Sequence, residues 1–221
     1  NKGIELTLNT VNIDKKGFQW RSNFVFSLNR NKVLELDTES ASIEKTYSVG
    51  SENSVVTRTV VGQPIGQFWG YKVIGRFDKA EDFYYKDKEG NVKPVALPAG
   101  SSIEEGKTWI GDYIFADLNN DGVIDNNDCT FIGNPEPKFT YGIGNTFSWK
   151  GFDLTIFLSG AYGNDVLNYN RRYIENPRVN SNLLKSAANY AVLERIKPDG
   201  PDDFRNLRVA NTSTTLPRIS A

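Results

Sequence analysis

The sequence predicts an all-β chain built around two long antiparallel hairpins, and three observations carry that expectation. The first is alternation. In FQWRSNFVFSLN, Phe18, Trp20, Phe24, Phe26 and Leu28 fall on one face and Gln19, Arg21, Asn23, Ser27 and Asn29 on the other, which is the period of a strand. The second is its recurrence: Phe139, Tyr141, Ile143, Phe147 and Trp149 oppose Thr140, Gly142, Gly144, Thr146 and Ser148, and Phe152, Leu154, Ile156 and Leu158 follow beyond a Lys150-Gly151 turn. The third is length. Each strand runs about ten residues, close to the ~9–11 that cross a bilayer at a tilt, and each polar face carries groups suited to a wet lumen. A soluble sandwich also alternates, so a slice of a transmembrane antiparallel β-barrel and a water-soluble β-domain both remain open at this point.

In chain order, residues 1–36 form the first hairpin. Ile4, Leu6 and Leu8 alternate with Glu5, Thr7 and Asn9, DKKG at Asp14 to Gly17 makes the turn, and a slip of phase near Val11 and Ile13 predicts a β-bulge. Residues 37–138 are a connection too long for a compact domain unless it is functional, and are read as a long external loop. Within it Gly62, Gly66 and Gly70 lie four apart, but Pro64, Gln63 and Gln67 rule out a helix-dimer motif. These glycines are expected to admit close backbone beside Phe68, Trp69 and Tyr71, whose rings are expected to pack within the loop. Lys86 to Lys107 reads as an exposed loop. Residues 139–168 carry the second hairpin, with Asn145 and Phe157 out of pattern. Residues 169–221 read as a second external loop, partly helical: SNLLKSAANYAVLERI is expected to be a helix capped by Ser181 or Asn182 and ended before Pro198. The adjacent Arg171 and Arg172 are taken as a solvated face. Phe18 and Trp20 beside one short turn, and Trp149 and Phe152 beside the other, have the levels of an interfacial girdle.

Composition removes several function classes. A net charge of -1 gives no electrostatic basis for nucleic-acid binding. The absence of histidine excludes Ser-His and Cys-His catalysis and the common zinc sites, and a single cysteine, Cys129, excludes an internal disulfide. Aromatic residues make up 12 % of the chain against only 38 % hydrophobic, so the rings have to find a surface of their own. The strand-like opening NKGIELTL suggests a piece of something longer.

The stretch richest in chemistry is DLNNDGVIDNND, residues 117–128. Oxygen side chains at Asp117, Asn119 and Asp121, Gly122 for the sharp turn, the backbone carbonyl of Val123, Asp125 at the ninth place and Asp128 at the twelfth match the spacing of an EF-hand-type calcium loop. Asp at the twelfth place is shorter than the usual Glu, which predicts a weaker contact. From Thr108 to Pro137 there are six acidic residues and no Lys or Arg, a crowding that a cation would relieve. An Asx-rich surface turn is the plainer account. The flanks, YIF and TFIG, look like strands, so Ca2+ is expected to staple extended segments together and not to open a pair of helices.

Taken together and in order, KGIELTLN, KGFQWRSNFVFSLNRNKV, VGQPIGQFWGY and GDYIFADLNNDGVIDNNDCTFIGNPEPKFTYGIGNTFSWKGFDLTIFLSGAYGNDVLN resemble the later barrel portion of SusC-like (RagA-like) TonB-dependent outer-membrane receptors. The resemblance covers essentially the whole chain, and its GD-to-IGNP block is the most specific part. It implies a bacterial outer-membrane barrel of about 22 strands with an N-terminal plug, worked by the TonB complex, paired with a SusD-like surface lipoprotein and importing glycans or, in some members, oligopeptides. This chain would supply about four strands and two external loops, in contact with outer-membrane lipid and the remainder of the receptor. Plug, TonB-interacting segment and final strands have no counterpart in it, so energy coupling is not located on these residues. The expected role is transport, with no enzyme activity and no organic cofactor. The alternative is a secreted calcium-stabilised β-module that binds carbohydrate, with Phe68, Trp69 and Tyr71 as a stacking platform. A glycoside hydrolase built on Glu81, Asp82 or Asp112 lacks a supporting pattern.

Overall fold

The structure is a computed structural model that describes residues 1–38, 41–49, 52–175, 184–185, 189–201 and 203–218. In chain order its strands are β1 (Lys2–Lys15), β2 (Phe18–Arg30), β3 (Ile43–Val49), β4 (Glu52–Thr59), β5 (Gln67–Tyr71), β6 (Val73–Arg76), β7 (Tyr84–Lys86), β8 (Val92–Pro94), β9 (Leu97–Pro98), β10 (Tyr113–Phe115), β11 (Val123–Ile124), β12 (Cys129–Gly133), β13 (Phe139–Trp149), β14 (Phe152–Tyr162), β15 (Leu193–Arg195) and β16 (Leu207–Val209). Helix is confined, among the described residues, to single turns such as α1 (Arg171–Ile174). The chain divides into two compact units, residues 1–70 with 131–167, and residues 71–130 with 168–221.

The first unit holds the wall. Strands β1-β2-β13-β14 form one antiparallel sheet whose outer strands pair with no further described strand. The register slips between Val11 and Ile13, the bulge expected from the sequence. Lys150 and Gly151 both adopt positive φ, 47° and 89°, the geometry of a two-residue turn whose twist suits a hairpin. The Lys150 N–H donates to the Gly17 carbonyl at 3.3 Å, so both short turns lie at one end of the sheet.

Pairing sorts the side chains by face. Trp149 lies opposite Phe18 and Phe152, Trp20 stacks on Phe147 at 5.7 Å, and Lys150 Nζ lies 5.1 Å over the Trp149 ring. At the far end of the same strands Phe139 contacts Phe26, Tyr141 and Tyr162. Ten residues separate these aromatic levels, about 33 Å along a strand. The aliphatic side chains between them stand uncovered, with Leu154 and Leu158 57 % and 61 % exposed. Soluble monomers rarely expose such a stripe, which marks a surface for a protein partner or a membrane.

Both out-of-pattern residues find partners. Asn145 on the apolar face accepts from Trp20 Nε1 at 3.0 Å and from Ser22 Oγ at 2.7 Å, while Asn12, at the bulge, donates to Ser22 Oγ at 2.6 Å. Polar groups bonded to one another in this way are tolerated in an apolar setting. Phe157 stands on the polar face and its ring covers the backbone at Gly142 and Gly144, where an added Cβ would come within 3.5 and 3.6 Å of it.

Strands β12-β5-β4-β3 form a second sheet. The IGNP stretch then turns the chain toward β13. The Asn134 N–H donates to Asp165 Oδ2 at 2.7 Å, and the Asp165 N–H returns a bond to the Asn134 carbonyl at 2.7 Å. At Gly133 a Cβ would meet the Phe68 ring at 3.0 Å and the Asp165 carboxylate at 3.1 Å, so a larger residue there has to displace one of these side chains by a few tenths of an ångström.

The second unit has its own core of Phe77, Phe83, Ile110, Ala191 and Val209, with Phe77 and Phe83 stacked at 4.0 Å and Phe204 edge-on to Phe83. A buried ion pair closes it. Arg218 Nε and Nη2 donate to Asp112 Oδ1 and Oδ2 at 2.8 and 3.0 Å, and Nη2 also reaches the carbonyls of Glu105 and Lys107. Two sequence expectations change in this unit. Leu193–Arg195, placed in a helix, is instead strand β15, paired antiparallel with β16, and residues 189–192 ahead of it are not α-helical either; Ser181 and Asn182, with residues 183 and 186–188 of the expected helix, lie outside the described residues. The segment from Lys86 to Lys107 is not a plain exposed loop: β7 and β8 form a hairpin whose turn is held by Asp87 accepting from the Glu89 and Asn91 N–H groups, and Val95, Leu97 and Ile103 pack against the core.

Removing one partner of a buried ion pair leaves the other charge uncompensated. Asp112→Ala is therefore expected to destabilise the second unit by about 3–5 kcal/mol, measured as a lower denaturant midpoint for protease resistance of residues 71–130 in the intact protein.

Candidate functional site

The acidic loop lies between β10 and β12 in the second unit. Its path needs two left-handed residues, Asn120 at φ 60° and Gly122 at φ 86°, and the short side chains of Asn and Gly tolerate that region. Oxygen atoms then bond inward to the loop's own amides. Asp117 Oδ2 accepts from the Gly122 N–H at 2.9 Å, Asn119 Oδ1 from Asp121 at 3.0 Å, Asp121 Oδ1 from Val123 at 2.9 Å and Asp125 Oδ1 from Asn127 at 2.7 Å. Val123 and Ile124 pair in parallel with β9, which fixes the loop's far side.

Asp128 is fully buried and clamps both ends of the loop: Oδ1 accepts from the Leu118 N–H at 2.7 Å and Oδ2 from the Asp125 N–H at 2.9 Å. The Asp125 N–H, with those of Leu118 and Asn119, holds its carboxyl below the usual carboxylate range against the opposing effect of burial. The other oxygen of Asp117, Oδ1, is buried and receives no hydrogen bond. Among the described residues no three His, Cys, Asp or Glu side chains converge as a metal cluster. The orphaned Asp117 Oδ1 is an oxygen suited to a hard cation, whereas Asn119 Oδ1 and both Asp121 oxygens already accept hydrogen bonds inside the loop, Asp121 Oδ2 from Asn119 Nδ2 at 2.7 Å. The Asp128 oxygens are committed first to the backbone, although each keeps a further lone pair.

The three aromatic candidates each have ring partners or close neighbours of their own. Phe68 packs against Gly133; Trp69 meets Phe131 edge-on at 5.0 Å and carries the Arg58 guanidinium 4.6 Å above its ring. Tyr71 packs on Phe115 at 5.5 Å, and its hydroxyl donates to Asn126 Oδ1 at 3.4 Å. Burial, followed by the neighbouring Cys129, Asp125 and Asp128, pushes the Tyr71 phenol up. Of the hydrolase carboxylates, Asp112 is bound to Arg218, and Asp82 Oδ2 accepts the Asp78 and Lys79 N–H groups at 2.8 and 3.1 Å. Sequence reasoning passed over a cleft of about 620 Å³ in this unit, lined by Tyr84, Tyr85, Phe115 and Asp82 together with the acidic loop's Asn120 and Gly122. The adjacent tyrosines in DFYY were its only visible signal.

No family model matches the chain. Among curated proteins it is similar to three from Formosa agariphila. TonB-dependent receptor P26 is 31 % identical over 173 residues, covering 78 % of this chain and 16 % of the receptor. TonB-dependent receptor P3 is 31 % identical over 76 % of this chain and 15 % of that receptor, and TonB-dependent receptor P39 is 29 % identical over 75 % and 17 %. The chain thus spans about a sixth of the length of the curated relatives it matches. Among solved structures, that of the RagAB peptide importer in its closed-closed state aligns with 99 % of this chain and 20 % of its own, with a TM-score of 0.51 and 16 % identity. At that identity the likeness speaks for the fold, an all-β part of a barrel.

Because the Asp128 carboxyl is held below its ordinary value, the stability it gives the loop is fully present above the ordinary Asp pKa of about 4 and is lost as pH falls through the lower folded value. In excess chelator, amide exchange at Leu118 and Asp125 is expected to stay slow from neutral pH down to about pH 4 and to accelerate below it. In Asp128→Ala, exchange at both amides should already be fast at neutral pH.

Proposed function

We propose that this chain, homologous to a segment of TonB-dependent receptors, is part of the wall and mouth of an outer-membrane importer of the SusC/RagA-like type. The observation that carries this is the uncovered apolar face of the β1-β2-β13-β14 sheet, bounded by two aromatic levels. In that setting Leu154, Ile156 and Leu158 meet hydrocarbon, while Asn23, Thr146 and Thr155 line the lumen. The full receptor would import glycans or oligopeptides, be driven by the TonB complex and be capped by a SusD-like lipoprotein. The external segments would contribute to the mouth. No step of bond making is assigned to this chain, whose role is passage and shape.

Calcium, when bound, supplies positive charge that offsets the carboxylates of the acidic loop. Asp117, Asn119, Asp121 and the Val123 carbonyl would hold it, with Asp125 and Asp128 closing the loop around them. The protein's own contribution is the scaffold of inward amide bonds that already holds those oxygens in one turn.

Two measurements test these readings. Leu158→Arg is expected to cost the full receptor about 2–4 kcal/mol in bilayers and Thr155→Arg much less, since only the first charge faces lipid; equal costs contradict the wall. Calcium is expected to slow proteolysis within residues 110–130 of the wild type and to have no effect on Asp121→Ala; identical digestion in all four conditions removes the staple.

A further inference from the structure

The cleft of the second unit has a chemistry of its own. Tyr84 and Tyr85 stand about half exposed on its rim, 45 % and 51 %, carried by the β7–β8 hairpin. Ile114, Phe115 and Val95 add apolar surface inside. The polar groups are mostly acceptors. Asp82 is pinned through Oδ2 by two backbone N–H groups, which aims the carboxylate while its Oδ1 takes no hydrogen bond among the described residues. The one cation in the lining, Arg76, is already committed: its Nε pairs with Asp78 and its Nη1 donates to the carbonyls of Thr214 and Leu216 at 2.9 and 2.7 Å.

A lining of this kind selects by charge and shape. With its only guanidinium paired and Asp82 on its wall, the described lining offers phosphate, sulfate and uronate groups no uncommitted side-chain cation. Its aromatic faces suit a flat C–H surface, and its free acceptor suits hydroxyl donors. A volume of about 620 Å³ is that of a small-molecule site. We infer that this cleft binds a neutral saccharide, one or two sugar rings laid against Tyr84 and Tyr85 with a hydroxyl donating to Asp82 Oδ1. The inference rests on the importer reading and adds to it a first contact for the sugar on the chain's own external segment.

The test uses the intact receptor in detergent, titrated calorimetrically with maltotetraose, cellotetraose, laminaritetraose and mannotetraose, and with tetra-alanine as the peptide probe. At least one saccharide is expected to bind the wild type, with its affinity falling about tenfold or more in Tyr84→Ala and Tyr85→Ala and kept in Tyr85→Phe, which retains the ring. The same loss is expected in Asp82→Asn if its backbone clasp persists, and protease resistance of the hairpin reports that. Saccharide affinity unchanged in the tyrosine variants, binding of tetra-alanine alone, or no saccharide binding overturns the assignment. Uptake in cells with and without TonB is scored separately: TonB-dependent import that survives in the tyrosine variants overturns the cleft and leaves the importer, while loss of TonB dependence overturns the importer itself.

Discussion

A four-stranded sheet with one aliphatic and aromatic face and one polar face cannot stand in water as it is. The apolar face must be covered by another layer or by hydrocarbon, and here the described chain supplies no such layer. On the proposed reading that covering is lipid, which also accounts for aromatic side chains gathering at two levels, with Trp149, Phe152 and Phe18 at the short turns and Phe139, Tyr141 and Tyr162 at the far end. Aromatic rings with polar edges settle at membrane interfaces, and aliphatic chains fill the space between. The polar knot of Asn12, Ser22, Asn145 and Trp20 survives on that face because its members satisfy one another.

On that reading a wall strand spends its side chains on two surroundings, hydrocarbon and lumen, and contributes little packing to anything else. The excursions therefore need a core of their own. The Phe77–Phe83 stack, the β15–β16 pair and the Asp112–Arg218 clasp supply one. On that base the acidic loop is held by its own amides.

The parts legible in the sequence were those written locally. Period-two alternation and two-residue turns gave the hairpins, and a slip of phase gave the bulge. Oxygen spacing marked the loop at 117–128, and the strand-like YIF and TFIG marked its flanks. The core of the second unit was not legible because Phe77, Phe83, Ile110, Ala191 and Val209 come from distant stretches, and only the folded chain brings them together. Leu193–Arg195 was misread for the same reason: its neighbours favour helix, but pairing with Leu207–Val209 overrides local propensity. The clamp by Asp128 was hidden because spacing reveals which residues carry oxygens and not which amides claim them first.

The most direct measurement places a spin label in turn at residues 153 to 158 of β14 in the full receptor reconstituted in lipid, and compares relaxation by oxygen, which dissolves in hydrocarbon, with relaxation by a water-soluble nickel chelate. The account predicts alternation, oxygen prevailing at Leu154, Ile156 and Leu158 and the chelate at Asp153, Thr155 and Phe157. A uniform response along the strand, or access of the chelate to all three aliphatic positions, would contradict it.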